Sequence, residues 1–326
     1  MSHLDDSSVL ITGGTGSLGK ALVRYLLDNT SARRIAIFSR DELKQLQMKN
    51  EFLDNPRLRW FLGDVRDLHR LKRAFHGVDF VIHAAALKQV DTGEYNPMEF
   101  IQTNILGSQN VIDAAIDAKV RKVVALSTDK ASSPINLYGA TKLTADKLFV
   151  AANNFSFSYG TIFSVVRYGN VMGSRGSVIP FFRRLASEGH NLPITDFRMT
   201  RFLISLDEAV KFVIDSFECM KGGELYVPRI PSMKITDLAT AIAPEARLEE
   251  IGMRPGEKLH EEMISEDDSR RTIETKDRLI VMPVVAEWGY EIPKGTQMSQ
   301  GKAYRSDTNE IWMSIDDLKN YISRLN

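Results

Sequence analysis

Two reactive side chains, Tyr138 and Lys142, lie four residues apart in the segment Tyr-Gly-Ala-Thr-Lys. On a helix that spacing places them on one face, close enough for the phenol and the ammonium to interact. A tyrosine is a poor base at neutral pH, but a nearby cation favours its anion. Such a phenolate can take a proton from a hydroxyl group while hydride leaves the carbon that bears this hydroxyl. An isolated pattern of this length more often describes a surface tyrosine beside a solvated lysine, so its context decides the interpretation.

An acid and an amine come shortly before this pair, as Asp129 and Lys130. An amine acts as a base only if its pKa falls, which positive charge from Lys142 and partial burial would favour. Asp129 would act as an acid if a water-poor site raised its pKa. The alternative for a bare Asp-Lys dipeptide is a solvent-exposed ion pair in a loop. Because the dipeptide follows a strand end and precedes Tyr138, the sequence favours a catalytic acid and base.

The N-terminal segment predicts the element that would hold a nucleotide. An apolar run, 8–12, leads into a glycine-rich turn and then into an amphipathic stretch that reaches Leu27. The order predicts strand, turn and helix, where a pyrophosphate can approach the backbone and the N–H groups of the helix N-terminus. The spacing is GxxGxxG, a variant of the dinucleotide-binding pattern. The predicted contacts are Gly13, Thr15, Gly16, Ser17, Leu18 and Gly19.

The next predicted strand, 34–39, ends beside a basic residue, Arg40. An enzyme that selects NAD more often carries an acid here for the ribose 2′-hydroxyl, whereas arginine suits a 2′-phosphate. Lys44 would face the same anion if a helix begins near Asp41. The sequence therefore favours NADP, with Ser39, Arg40 and Lys44 as contacts. The alternative is a merely charged start of a helix.

Two further predicted strands, 58–62 and 80–83, also end in polar or small residues. Open α/β sheets bind ligands at these carboxyl ends. Asp64 would accept a hydrogen bond from the adenine amino group, although a helix N-cap is an equal interpretation. The remaining predicted cofactor contacts are Val65, Ala84 and Lys88.

Strand and helix signals alternate as far as residue 167, which predicts a Rossmann-like, doubly wound parallel sheet. Long helices are expected over 97–119 and 137–154. The later part of the chain reads as loops and shorter elements. We therefore expect an NADP-binding Rossmann domain over 1–170, rejoined by a strand near 223–228, and a mainly substrate-binding lobe over 171–326.

Composition excludes several classes of function. The chain has 326 residues, 42 of them basic and 42 acidic, with no basic block that would suit nucleic acid or an anionic membrane. Its single cysteine, Cys219, excludes an internal disulfide and a cysteine-rich metal site, and no metal is expected. The polar N-terminus and the lack of any run near the roughly 18 apolar residues of a membrane span predict a cytoplasmic protein.

Four motifs together resemble the extended short-chain dehydrogenase/reductases that act on nucleotide sugars. They are the Gly13 turn, Asp64-Val65, the Tyr138/Lys142 pair and Arg167-Tyr-Gly-Asn170-Val171. Within that family, longer segments resemble the UDP-N-acetylglucosamine 4,6-dehydratases that invert C5: 39–45, 127–131, 136–142, 173–178, 198–202 and 254–258. The likeness covers nearly the whole chain. It departs at Gln89, Asp91, Thr92 and Gly93, where the subfamily usually has His at 89 and Pro at 91, so fine substrate preference stays open.

The resemblance implies a reaction in three stages. Tyr138 takes the O4 proton while the C4 hydride moves to NADP+. Lys130, where retaining relatives carry glutamate, then takes the C5 proton, its pKa lowered further by the oxidised nicotinamide, and Asp129 protonates the departing 6-hydroxyl. Hydride finally returns to C6 and C5 is reprotonated on the opposite face. A return of hydride to C4, leaving a 5,6-ene, stays open.

The resemblance also implies where the UDP-sugar binds, and in what setting. Arg254 would contact the diphosphate and Glu257 a hydroxyl of the ribose or the sugar. The other implied substrate contacts are Thr128, Asn170, Val178, Thr195 and Met199. For Val178 and Met199, packing is an equal interpretation. The subfamily opens pseudaminic acid biosynthesis, and a homo-oligomer is expected from the resemblance alone.

Two other functions share part of these features. A nucleotide-sugar 4-epimerase or reductase would have the same fold, NADP site and Tyr138/Lys142 pair, but should not need Asp129 and Lys130. A non-enzymatic, NADP-sensing regulator would need only the glycine turn. The intact reactive residues therefore favour the dehydratase.

Overall fold

A ten-stranded sheet lies at the centre of the computed structural model, which describes residues 3–173 and 178–324. Residues 174–177, part of a motif used above, lie outside the described residues. The strands are β1 (Ser8–Thr12), β2 (Arg34–Ser39), β3 (Leu58–Leu62), β4 (Phe80–His83), β5 (Lys122–Leu126), β6 (Ile162–Val166), β7 (Asn170–Val171), β8 (Leu192–Ile194), β9 (Thr200–Ile204), β10 (Leu225–Pro228), β11 (Ser232–Lys234), β12 (Leu248–Glu250), β13 (Glu262–Ile264), β14 (Thr272–Glu274), β15 (Arg278–Val281), β16 (Thr296–Gln297) and β17 (Tyr304–Arg305).

Helices cover both faces of this sheet and build the smaller lobe. They are α1 (Ser17–Asn29), α2 (Glu42–Glu51), α3 (Leu68–Phe75), α4 (Val90–Tyr95), α5 (Pro97–Phe100), α6 (Gly107–Asp117), α7 (Leu137–Ser156), α8 (Val178–Ser187), α9 (Leu206–Cys219), α10 (Ile235–Ile242) and α11 (Ile315–Ser323). Within the ranges that the structure describes, no helix has the length and apolarity needed to cross a bilayer.

The parallel part of the sheet has the order β3-β2-β1-β4-β5-β6-β10. Val9 of β1 pairs with Ile35 on one side and with Phe80 on the other. Every residue of β1 is buried, as expected for a strand with helices on both faces. The predicted Rossmann-like sheet is confirmed. Its strand order reverses between β1 and β4, and ligands bind at such a point, beyond the carboxyl ends of the strands.

The C-terminal part of the chain contributes to both layers. β10 pairs with β6 at the place where the sequence predicts a returning strand, and β15, β14 and β16 then extend the sheet in antiparallel fashion. The sequence did not predict this extension. A separate small sheet, β11-β9-β7, packs with α10 and α11 around Met172, Leu203 and Met233. The division at residue 170 stays a prediction.

The long helix expected over 97–119 is interrupted. Residues Ile101–Leu106 form a π-helical turn between α5 and α6. The wider turn accompanies a buried side chain, Asn104, whose amide donates to the carbonyl of Leu87 at 2.9 Å and to Oγ1 of Thr141 at 3.0 Å. Such π turns interrupt α-helices and frequently occur at functional sites. Here the turn ties α7 to the loop that follows β4.

Candidate active site

A cleft of about 1300 Å³ runs along the carboxyl ends of the parallel strands and continues against the smaller lobe. With one exception, Asp64, the predicted catalytic, cofactor and substrate residues line it. They come from the turns after β1, β2, β4 and β5 and from the N-terminal part of α7, together with residues of the smaller lobe. The structure therefore brings side chains that are far apart in sequence to one cavity.

The glycine turn leaves its backbone open to a ligand. Gly13 has φ +67°, and a Cβ added there would lie 2.8 Å from Cα of Ala85. A Cβ on Gly19 would lie 2.6 Å from Cα of Gly14. Helix α1 follows directly, and its N-cap, Gly16, has no side chain to cap it. These residues fit the pyrophosphate of a dinucleotide, which binds at a helix N-terminus where side chains would obstruct it.

Basic residues follow β2 at one end of the cleft. Arg40 and Lys44 both line it, and each pairs with an acid: Arg40 Nη1 lies 3.4 Å from Oδ2 of Asp64, and Lys44 Nζ lies 2.6 Å from Oδ2 of Asp41. Both pairs are partly exposed, so an anionic group can compete for the cations at small cost.

Asp64 lies beside the cleft rather than in its lining. Its carboxylate contacts Arg40 and also Arg66, whose backbone N–H donates to Oδ1 at 3.0 Å. The alternative of a helix N-cap is wrong, because Asp67 caps α3 by accepting from the N–H of Arg70. The proposed contact of Asp64 with adenine stays a prediction.

The acid and the amine lie on a short 3₁₀ turn, Asp129–Ala131, that follows β5. Asp129 is 1% exposed, whereas Lys130 is 25% exposed and reaches the cleft. Lys130 Nζ lies 3.0 Å from Oδ1 of Asp129 and 3.2 Å from Oε1 of Glu261. The alternative of a solvent-exposed ion pair is wrong, because both carboxylates are buried.

Helix α7 packs tightly against this turn. A Cβ on Gly139 would overlap the carbonyl oxygen of Lys130, so the second residue of the Tyr-Gly-Ala-Thr-Lys segment must be glycine for this approach. Asn136 begins the helix by accepting from the N–H of Gly139 at 2.8 Å. Tyr138 hydrogen-bonds with Thr128, and Lys142 is buried one turn further along. The acid, the amine and the tyrosine thus meet at one end of β5.

The electrostatics of the tyrosine differ from the expectation. Burial raises the pKa of Tyr138 to about 12, although the charge of Lys130 and the hydrogen bond with Thr128 oppose this shift. The expected lowering of the phenol pKa by Lys142 is therefore wrong, because desolvation outweighs the nearby cation. Burial lowers the pKa of Lys142 itself, against the opposing charge of Asp146.

The expected pKa of the amine is also wrong. Burial lowers the pKa of Lys130, but Asp129 and Glu261 raise it further, and the result lies above the usual value. The sequence indicated that Asp129 lies next to Lys130, but it gave no sign of the contact with Glu261. For Asp129, burial raises the pKa as expected, although Lys130 opposes it. Lys130 is therefore an ammonium group beside a carboxyl group that tends to keep its proton.

The predicted substrate residues line the other end of the cleft. Asn170 belongs to β7, and Val178 is the first residue of α8. Thr195 follows β8, while Met199 is 3% exposed and precedes β9. All four line the cavity, so the packing interpretation for Met199 and the substrate interpretation are both compatible with its position.

The loop with Arg254 and Glu257 is held against the catalytic turn. Both residues line the cleft, and Oε2 of Glu257 is buried without a hydrogen-bond partner within the described ranges. Asn136 Nδ2 donates to the carbonyl of Gly256 at 2.8 Å, which fixes the loop to the start of α7. An exposed cation and a buried acceptor here suit a diphosphate and a hydroxyl group.

Sequence reasoning missed two residues that shape the site. Asn104 shows no local signal, because only the π turn brings it to the loop after β4. Glu261 lies in a charged run, 257–262, that reads as ordinary surface. Its contact with Lys130 depends on β13, which pairs with β17 and packs against the 3₁₀ turn. A buried acid so distant in sequence has no signature in spacing.

Comparison with known proteins identifies the family. The family model of polysaccharide biosynthesis proteins matches residues 9–283. UDP-N-acetylglucosamine 4,6-dehydratase (inverting) of Campylobacter jejuni subsp. jejuni serotype O:2 is 55% identical over 325 residues, 97% of each chain. UDP-glucose 4-epimerase of Rickettsia canadensis is 40% identical over 329 residues, 98% of this chain and 93% of that protein.

Solved structures agree with the fold. Pen from Bacillus thuringiensis superposes with a TM-score of 0.90 at 39% identity and covers 99% of this chain and 98% of its own. DesIV, a dTDP-glucose 4,6-dehydratase from Streptomyces venezuelae solved with NAD and TYD bound, has a TM-score of 0.69 at 25% identity, with 77% of this chain and 86% of that one covered. The resemblance stated from the motifs and the expectation of an enzyme are confirmed. The chain belongs to the polysaccharide biosynthesis protein family, within the extended short-chain dehydrogenase/reductases.

Proposed function

We propose that the protein is a UDP-N-acetylglucosamine 4,6-dehydratase that inverts C5. The observation that carries the proposal is the buried Asp129 beside Lys130 on a turn that packs against the start of α7, where Tyr138 lies. All three residues line the cleft that the glycine turn also lines. The relative named for this activity is 55% identical over 97% of its length. A 4-epimerase eliminates no water, so its reaction would not need Asp129 and Lys130.

We infer that the cofactor is NADP. The glycine turn and the N-terminus of α1 would hold the pyrophosphate, while Ser39, Arg40 and Lys44 lie at the place where a 2′-phosphate would bind. DesIV holds NAD, so the choice of NADP rests on the two cations. When bound, the dinucleotide supplies a hydride acceptor that gives the hydride back within the same turnover.

Tyr138 would remove the proton from O4 of the sugar. Because its pKa is about 12, the phenolate is scarce at neutral pH. The charge of Lys130 and the hydrogen bond with Thr128 stabilise the phenolate as it forms. Oxidation at C4 then places a ketone next to C5, which makes the C5 proton acidic.

Asp129 and Lys130 would carry out the elimination. Burial raises the pKa of Asp129, which favours the protonated form that would give its proton to the departing 6-hydroxyl. Lys130 must be neutral to take the C5 proton, and its Nζ lies within 3.2 Å of both Asp129 and Glu261. Hydride then returns to C6, and C5 gains a proton on the opposite face, which gives a 6-deoxy-4-keto sugar. This product would enter pseudaminic acid biosynthesis. We also propose that the protein forms a homo-oligomer.

A turnover assay separates this function from its alternative. The protein is incubated with UDP-N-acetylglucosamine and NADP, and the sugar is identified by mass spectrometry while NADPH absorbance is followed. We expect loss of one water and no net accumulation of NADPH. The 40% identical epimerase makes C4 epimerisation the second candidate, and a product of unchanged mass would support it instead. Replacing NADP with NAD in the same assay tests the cofactor.

A further inference from the structure

A buried carboxylate outside the lining of the cleft contacts the amine of Lys130. Glu261 is 2% exposed, and its Oε1 lies 3.2 Å from Nζ of Lys130, opposite Asp129 at 3.0 Å. Its Oε2 is buried and has no hydrogen-bond partner among the residues described. A buried polar atom left without a partner destabilises the fold. Packing alone therefore does not account for this carboxylate.

Glu261 belongs to a small cluster of charged groups. Arg201 Nε lies 3.7 Å from its Oε1, and Lys258 faces it while donating to the carbonyl of Ser132 at 2.5 Å. Burial raises the pKa of Glu261, but these cations and Lys130 hold it below the usual value. The charged and titratable groups that face Lys130 are Asp129, Glu261, Arg201, Lys258 and the phenol of Tyr138.

Elimination needs a combination of protonation states that two residues alone do not provide. Asp129 must keep its proton in order to give it to O6, so it cannot also take the proton of Lys130. The amine must nevertheless be neutral before it takes the C5 proton. Glu261 is the other carboxylate within hydrogen-bond distance of Lys130 in the described residues.

We propose that Glu261 is the positioning residue that converts Lys130 into a base, by holding its amine opposite Asp129 and accepting its proton. This inference rests on the proposed dehydration. Before the step, Lys130 is an ammonium, Glu261 a carboxylate and Asp129 a carboxylic acid. After it, Lys130 is an amine and both acids are protonated, so no proton enters or leaves the cluster.

The occupied cleft would favour this transfer. A bound nucleotide sugar displaces water from the cleft that Lys130 reaches, and a neutral pair costs less to bury than an ion pair. The amine then takes the C5 proton, Asp129 gives its proton to O6, and water leaves. Lys130 is again an ammonium beside a protonated Glu261. Asp129 is now a carboxylate, so the cluster still holds two protons, and transfer of the Glu261 proton to Asp129 restores its resting state. The proton that C5 regains comes from solvent, and Tyr138 returns the O4 proton to solvent.

The inference predicts an unusual pH dependence for one step. Because the resting and reactive forms hold the same number of protons, the rate of elimination in the wild-type enzyme should not change across neutral pH. In Glu261→Gln, the amide cannot accept a proton, so Lys130 must lose its proton to solvent. The rate should then rise about tenfold for each pH unit below the pKa of Lys130. Glu261→Asp keeps a carboxylate that can accept the proton. Its elimination rate should therefore be lower than that of the wild-type enzyme but should not change with pH.

The experiment is stopped-flow turnover of UDP-N-acetylglucosamine at a series of pH values. Transient NADPH absorbance reports C4 oxidation, and quenched samples report loss of water. Glu262→Gln is the matched control, because this neighbour accepts from Ser132 and Ser133 and has no contact with Lys130 in the described structure. It should retain the flat profile. Oxidation at C4 should change less than about threefold in Glu261→Gln, since it does not need a neutral Lys130.

Several outcomes would overturn the inference. Oxidation through Tyr138 rises with pH in every variant, so the elimination rate is taken from the decay of the transient NADPH absorbance. A wild-type decay that becomes faster with pH would overturn the inference without any variant. The inference also fails if the elimination rate of Glu261→Gln does not change with pH, or if the rates of oxidation and elimination fall equally in this variant. Either result would show that Glu261 only packs against the site. If the wild-type protein releases no water at all, the proposed function fails. Glu261 is then tested by NMR titration of labelled Lys130, whose pKa should fall in Glu261→Gln, and an unchanged value contradicts the contact.

Discussion

The turns after β1 and β5 lie at the same edge of one parallel sheet, yet they are built in opposite ways. The first uses glycines and bare backbone, and no ionisable side chain lies between Gly13 and Gly19. The second places two buried acids around an amine, and Ser132 and Asn136 beside it donate hydrogen bonds to Glu262 and Gly256. One turn is suited to an anion and the other to proton transfer.

The difference shows how far each turn depends on the rest of the chain. The glycine turn needs its own strand, its helix and the neighbouring strands β2 and β4, all within the first 85 residues. The acid-amine turn needs Gly139 on α7 and Glu261 near β13, which lies more than a hundred residues further along. Changes at the first turn should therefore affect nucleotide binding, and changes at the second should affect chemistry.

The largest effects should come from the reactive side chains of the second turn. Lys130→Ala should lower the rate of water elimination by about 10²–10⁴-fold, because no other amine replaces the base. Tyr138→Phe should fail earlier, at C4 oxidation. Transient NADPH absorbance separates the two, since it should form in Lys130→Ala and not in Tyr138→Phe. Wild-type activity in both variants would remove the catalytic assignment.

The next largest effect should distinguish the two turns directly. In Gly139→Ala, the new Cβ meets the Lys130 carbonyl, so we expect unfolding free energy to fall by about 1–3 kcal/mol and elimination to slow. Gly13→Ala forces φ +67° on alanine against Ala85 and should instead weaken NADP binding. Denaturant unfolding, calorimetric NADP titration and turnover would be measured for both. Equal effects on NADP affinity would contradict the separation of roles.

A smaller effect is expected at the substrate end of the cleft. Arg254→Ala removes the exposed cation assigned to the diphosphate and should raise KM about tenfold while kcat changes little. Arg198→Ala is a suitable control, because Arg198 pairs with Asp196 at 2.7 Å and does not line the cleft. Steady-state kinetics with both variants test the assignment. A fall in kcat with unchanged KM would place Arg254 in the chemical step.

The smallest effect concerns the cofactor. Arg40 is 47% exposed and pairs with Asp64, so its contribution to phosphate binding is modest. Arg40→Ala should weaken binding of NADP about fivefold and leave binding of NAD unchanged. Fluorescence titration with both nucleotides gives the ratio. Equal weakening of the two would show that Arg40 does not contact the 2′-phosphate.

Local patterns predicted most of the fold and the position of the site. β1, β2, β3 and β4 have the bounds expected from their apolar runs, and α7 begins at Leu137 as expected. The carboxyl ends of neighbouring parallel strands had to meet, which brought the glycine turn after β1 and the Asp129 turn after β5 to one edge of the sheet. The π turn at Asn104, the antiparallel strands and Glu261 were not predicted, because each depends on contacts between distant segments. The pKa directions of Lys130 and Tyr138 were wrong for the same reason.

The central claim is that Lys130 and Asp129 perform an inverting elimination, and one measurement tests it most directly. The protein is incubated with UDP-N-acetylglucosamine in D2O, and the sugar is followed by NMR. We expect a 4-keto-6-deoxy product with deuterium at C5 and the L-arabino configuration. Retained configuration at C5, or a product that still carries its 6-hydroxyl, would contradict the account.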